Sequence, residues 1–66
     1  MEQMSLLARR RRIIKVLRER HGMVAKCHAS ISLRAAENCN VYYRSDDGQW
    51  NFLGRLDFIE REEDLK

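Results

Sequence analysis

The chain contains no proline, three glycines, two cysteines and a single tryptophan in 66 residues. Two cysteines without proline do not make the disulfide framework of a small secreted scaffold. No apolar run approaches the ~20 residues of a membrane-spanning helix, and arginines from position 9 onward leave no room for the apolar core of a signal peptide. The expected location is therefore the cytoplasm, with no transmembrane segment. Internal repeats, low-complexity tracts and linkers are missing as well. With 35% charged residues set in clear periodicity beside 44% hydrophobic ones, the composition is not that of a disordered tail.

Chemical signatures are equally sparse. There is no glycine-rich phosphate loop, nucleophile elbow or zinc-protease pattern. The carboxylates of Asp46, Asp47, Asp57, Glu60, Glu62, Glu63 and Asp64 are expected to be solvated, with no pocket to shift them. No catalytic residue and no cofactor is assigned, and the chain reads as non-enzymatic. His21, Cys27, His28 and Cys39 invite a metal, but Cys27 and His28 are strand neighbours that point to opposite faces, so no metal site is assigned. The two cysteines are expected several rows apart in the sheet, too distant for a disulfide, and to behave as small core hydrophobes.

A chain this short forms one domain, residues 1–66, with little core. Ordering each residue costs roughly 1.5 kcal/mol, which leaves such domains near zero net stability unless something staples them. A dimer interface is the remaining inexpensive source of burial, so a homodimer is expected. Charge is divided. Residues 1–26 hold eight basic side chains against Glu2 and Glu19, a net of +6, and residues 27–66 hold five against eight, a net of −3.

The basic half opens with a helix over residues 5–21, N-capped by Ser5 and stopped by Gly22 after Arg20 and His21. Leu6, Leu7, Ile13, Ile14 and Leu17 share one face, and Arg10 falls in the middle of it. A buried unpaired arginine is prohibitive. This predicts that Ile13 to Leu17 dock, that residues 1–12 project as an arm, and that Arg10 finds a carboxylate among Glu60 to Asp64 of a second copy.

Residues 23–33 alternate strictly and predict a strand, with residues 30–38 as strand plus turn or, alternatively, a short helix capped by Ser30 or Ser32. Pairing Leu33 with Cys39 places Ala29 opposite Tyr43 and Cys27 level with Ser45. Asp47-Gly48 predicts a two-residue hairpin between strands at 39–45 and 49–58, pairing Ser45 with Trp50, Tyr43 with Phe52 and Val41 with Gly54. Cys39, Val41, Tyr43, Trp50, Phe52, Leu56 and Phe58 then form one apolar face, with Trp50 buried beneath the helix. The acidic tail, residues 59–66, forms a short helix at most. The fold class is α+β: a basic N-terminal helix on a three-stranded antiparallel meander. This element order is similar to that of double-stranded-RNA-binding domains, a likeness of architecture alone, since none of that family's motifs is present.

Two surfaces could carry a function. Arg9 to Arg12 is the loudest signal, and Arg11, Lys15 and Arg18 stand at i, i+4, i+7 as a stripe with Arg12 beside it and Arg9 in the same run. Guanidinium groups grip phosphates by paired hydrogen bonds. On the polar face of the sheet, Lys26, His28, Tyr42, Arg44 and Arg55 crowd together, the cation-and-ring mixture on which single-stranded nucleic acid stacks. The expected function is nucleic-acid binding, DNA or RNA, or regulation, through phosphate contacts of the basic helix. The alternative is a protein-binding modulator, an inhibitor or adaptor, laying that helix on an acidic protein.

Overall fold

The computed structural model describes residues 4–29 and 39–65. Helix α1 (Leu6–His21) is followed by strands β1 (Ala25–Ala29), β2 (Cys39–Arg44) and β3 (Trp50–Arg55) and by helix α2 (Leu56–Glu62). The strands form an antiparallel sheet in the order β1-β2-β3. This is the α+β architecture that the sequence predicts, with α2 starting earlier than expected. Whether residues 30–38 continue the strand or form a helix lies outside the described residues.

Both caps of α1 follow from residue type. Ser5 Oγ accepts from Ala8 N at 3.1 Å, satisfying one of the otherwise orphaned first-turn donors. Gly22, at φ 65°, turns the chain away while its N–H donates to Arg18 O at 3.0 Å and Met23 N donates to Leu17 O at 3.1 Å. Between the caps, Ile13 and Leu17 are buried against Cys27, Cys39 and Val41 of the sheet and Leu56 and Ile59 of α2.

Strand β1 pairs with β2 four residues away from the expected register: Cys27 lies opposite Val41 and Ala29 opposite Cys39. Because side chains alternate with period 2, a four-residue shift keeps Cys27 on the same face as Cys39 and Val41. It also brings the two cysteines close, which corrects the expectation that they sit several rows apart. They are diagonal neighbours, both buried and both free thiols.

The β2–β3 hairpin departs from expectation by one residue, and one residue reverses a face. Gly48 N donates to Ser45 O at 2.8 Å and Ser45 N to Gln49 O at 2.9 Å, so the loop has three residues, Asp46, Asp47 and Gly48. Asp46 and Asp47 form the turn and Gly48 takes the left-handed position at φ 85°, the geometry of a type I turn closed by a glycine bulge. The Asp47 side chain favours this loop over the two-residue one, since its Oδ1 accepts from Gln49 N at 3.0 Å and from the Ser45 hydroxyl. The extra residue sets Arg44 opposite Trp50, Tyr43 opposite Asn51 and Tyr42 opposite Phe52. A bulge then absorbs Leu53, and Val41 meets Gly54 as the sequence predicts.

Trp50 and Phe52 consequently leave the helix side: they are 41% and 59% exposed. The expected burial of Trp50 beneath α1 is therefore wrong. Phe58 also moves off the apolar face, because the strand ends at Arg55 and Phe58 belongs to α2 with half its surface in solvent. The residue of α2 that replaces it in the core is Ile59, whose Cδ1 lies 3.4 Å from where a Cβ on Gly54 would stand. These burials rank two substitutions. Ile13→Ala removes a fully buried side chain and is expected to cost about 2–5 kcal/mol, whereas Trp50→Ala removes a half-exposed ring and its contact with Lys26 outside the core and is expected to cost less, about 1 kcal/mol. Urea unfolding of the two variants checks the order.

Candidate nucleic-acid interface

Alternation along three strands builds the open face of the sheet as a grid. Its first row is His28, Asn40 and Arg55, and its second is Lys26, Tyr42 and Phe52. A third row holds Val24, whose carbonyl accepts from Arg44 N at 2.9 Å, then Arg44 and Trp50. None of the nine positions is a carboxylate. Helices α1 and α2 pack on the opposite side, so this face carries no cover among the described residues.

The rings touch. His28 and Tyr42 meet edge to face with centroids 5.6 Å apart, and Tyr42 and Phe52 do the same at 5.7 Å. Lys26 Nζ stands 4.1 Å from the centroid of the Trp50 ring, a cation–π contact that crosses the central strand. Each ring is thus braced by a neighbour while keeping surface for a ligand. Arg55 lies at the rim, its Nε 3.9 Å from Asp57 Oδ1 with both side chains largely in water, a pair worth little in such exposure.

The structure brings together all five residues expected on this face, Lys26, His28, Tyr42, Arg44 and Arg55. Trp50 and Phe52, which sequence reasoning assigned to the core, join them. The signal that could have found these two is Asp46-Asp47-Gly48 itself, since two aspartates before the glycine admit a three-residue loop as well as the two-residue one.

The arginine run is largely occupied by the fold. Arg9 Nη2 donates to Glu60 Oε1 at 2.6 Å, its Nε reaches both carboxylate oxygens at 3.2 Å, and Arg12 Nη2 donates to Glu60 Oε2 at 3.0 Å. Arg10 Nη2 donates to the Cys27 carbonyl at 2.7 Å. Residues 6–12 are therefore tied to α2 and β1 and do not project as an arm, and Arg10 finds a backbone carbonyl rather than a carboxylate. Glu60, expected in solvent, is 7% exposed. Burial pushes its carboxyl pKa up, yet the hydrogen bonds from Arg9 and Arg12 outweigh that and hold it below the ordinary range. A second tie joins the helix ends: Glu63 takes His21 Nε2 at 3.0 Å, and its carbonyl takes Arg20 Nη1 at 2.6 Å. Of the expected helix residues, Arg11, Lys15 and Arg18 remain on the exposed side.

No group of three or more histidine, cysteine or carboxylate side chains converges as a metal site among the described residues. Burial, with the adjacent Cys39, pushes the Cys27 thiol up to about 12, and burial raises Cys39 as well. Thiolate is the reactive form. Both cysteines are accordingly expected to resist alkylation at pH 8 in the folded protein and to react at once in urea, which mass spectrometry of iodoacetamide-treated samples reads directly. Rapid labelling under native conditions would contradict their place in the core.

Among the described residues no helix is long and apolar enough to cross a membrane. No family model matches the chain, and neither a search of curated proteins nor one of solved structures finds a match.

Proposed function

We propose that the protein is a small non-enzymatic module that binds single-stranded nucleic acid across the open face of its sheet. The observation that carries this reading is the grid itself: Tyr42, Trp50, Phe52 and His28 supply ring faces, and Lys26, Arg44 and Arg55 supply three positive charges among them. Bases stack on exposed rings whatever their sequence, and cations beside the rings neutralise the backbone that links them. A duplex hides its base faces and cannot use the rings. Single strands should therefore bind more tightly than duplexes of the same sequence.

Charge also argues against covering this face with a second copy, since face-to-face pairing would bring six cations together with only the rim carboxylate of Asp57 from each copy beside them. The expected homodimer rests on the shortage of core and on Arg10 meeting a partner's acidic tail; the second reason falls away, since Arg10 donates to the Cys27 carbonyl and Glu60 of the same chain meets Arg9 and Arg12. One chain is the proposed binding unit.

Trp50 reports on the test. Titrating the protein with labelled single strands and with duplexes at two salt concentrations, while following tryptophan emission, should give saturable quenching by the single strands. Three phosphate contacts predict a log–log salt slope of roughly −2, at about −0.7 per contact on a single strand. Equal or tighter duplex binding would move the site to the helix. No saturable binding at physiological salt would favour the second reading, a modulator that lays Arg11, Lys15 and Arg18 on an acidic protein.

A further inference from the structure

The stripe on α1 is left over from that reading. Arg11, Lys15 and Arg18 are exposed, and none makes a side-chain hydrogen bond or ion pair among the described residues. Ile13 and Leu17 point into the core, and at ~100° per residue Lys15 lies roughly 200° around the helix from Ile13. The stripe therefore faces away from the sheet. Glu19 is the carboxylate nearest to it in sequence, one negative charge beside three positive ones. It has no aromatic ring, so it can hold phosphates but cannot stack bases.

The protein thus has two basic surfaces of different chemistry, back to back. Across its shortest principal axis the Cα framework extends only 16 Å. Two strands bound on opposite sides would be held on one small molecule, with the six cations between them offsetting part of their mutual repulsion. We propose that one molecule bridges two nucleic-acid strands, one stacked on the sheet face and the other held by its phosphates along α1, and that it thereby accelerates the pairing of complementary strands. This inference rests on the sheet-face reading for its first strand and on the helix stripe for its second. A strand held by phosphates alone keeps its bases free to pair. Bringing it beside the first strand converts an encounter between two polyanions into a local one.

The test uses two non-complementary single strands of about ten nucleotides, within the usual site size for one binding module, one carrying a donor dye and the other an acceptor. Bridging gives energy transfer that rises with protein, peaks, and falls again in excess protein as each strand acquires its own molecule. With complementary strands the annealing rate should rise roughly tenfold or more at the same optimum. The variant R11Q/K15Q/R18Q should keep the Trp50 quenching of the wild type and lose both the energy transfer and the acceleration, while R11K/R18K should retain them. Thermal melting by circular dichroism confirms that the exposed substitutions leave the fold intact. Acceleration that grows without a maximum, or a triple glutamine variant that still bridges, overturns the inference and leaves the sheet-face reading standing. Absence of Trp50 quenching in the wild type overturns both.

Discussion

Glu60→Ala is expected to remove about a third or more of the protein's stability. Its carboxylate is the buried point at which α1 and α2 are joined, taking Arg9 through Nε and Nη2 and Arg12 through Nη2. Removing one member of a buried ion pair costs about 3–5 kcal/mol, because the opposite charge is left without its partner. The low end applies, about 3 kcal/mol, since the arginine side chains keep 24% and 26% of their surface in water. A domain of this length has roughly 3–10 kcal/mol of stability in all, at ~0.05–0.15 kcal/mol per residue, so the variant keeps at most about 7 kcal/mol and at the low end does not fold. Glu60→Gln, which keeps an acceptor but not the charge, should lose less. Glu62→Ala, an exposed change on the same helix, should stay within about 0.5 kcal/mol of wild type.

Acid should reproduce the loss. The folded Glu60 carboxyl titrates below its unfolded value, so between the two values the unfolded chain binds more protons and stability rises with pH. The contribution is complete above the ordinary carboxylate range and disappears as pH falls through the depressed folded value. Urea midpoints measured from neutral pH into acid should show that decline in the wild type and a shallower one in Glu60→Gln. Equal midpoints for Glu60→Ala and wild type at pH 7 would mean that Arg9 and Arg12 hold nothing together.

Why some of this was legible in the sequence and some was not comes down to parity and to contacts distant in the chain. Ser5 and Gly22 mark the ends of α1 because capping is local chemistry, readable from residue type and position. The four-residue error in the β1–β2 register did no harm to the faces, since four is even and Cys27 still meets the core. The one-residue error in the hairpin did harm, because Asp47-Gly48 reads as a two-residue turn until the Asp47 side chain is seen to bond Ser45 and Gln49. Apolar alternation could not arbitrate, for Trp50 and Phe52 are as hydrophobic on an open face as in a core. Glu60 was beyond reach for a different reason. Its burial depends on α2 starting at Leu56 and on Ile59 lying over Gly54, contacts that sequence spacing to Arg9 and Arg12 does not reveal.

The same reversal of face makes the strongest binding forecast. Trp50→Ala and Phe52→Ala should each weaken single-strand binding by about 1–3 kcal/mol, the usual loss for one base–aromatic stack, or roughly 5- to 150-fold in Kd. The pair together should abolish binding on the sheet face and leave only the weaker phosphate contacts of α1, followed by the anisotropy of a labelled strand since Trp50 is gone. Both residues are exposed, so the doubly substituted protein should still unfold cooperatively, which separates a lost platform from a lost fold. Arg44→Ala should behave differently. A phosphate contact carries no base information, so its removal should weaken all sequences alike and make the salt slope shallower by about 0.7, whereas the ring substitutions should leave that slope unchanged. If the ring variants bound as tightly as wild type, while neutralising Arg11, Lys15 and Arg18 removed all binding, nucleic acid would be held on α1 alone and the open sheet face would need another occupant.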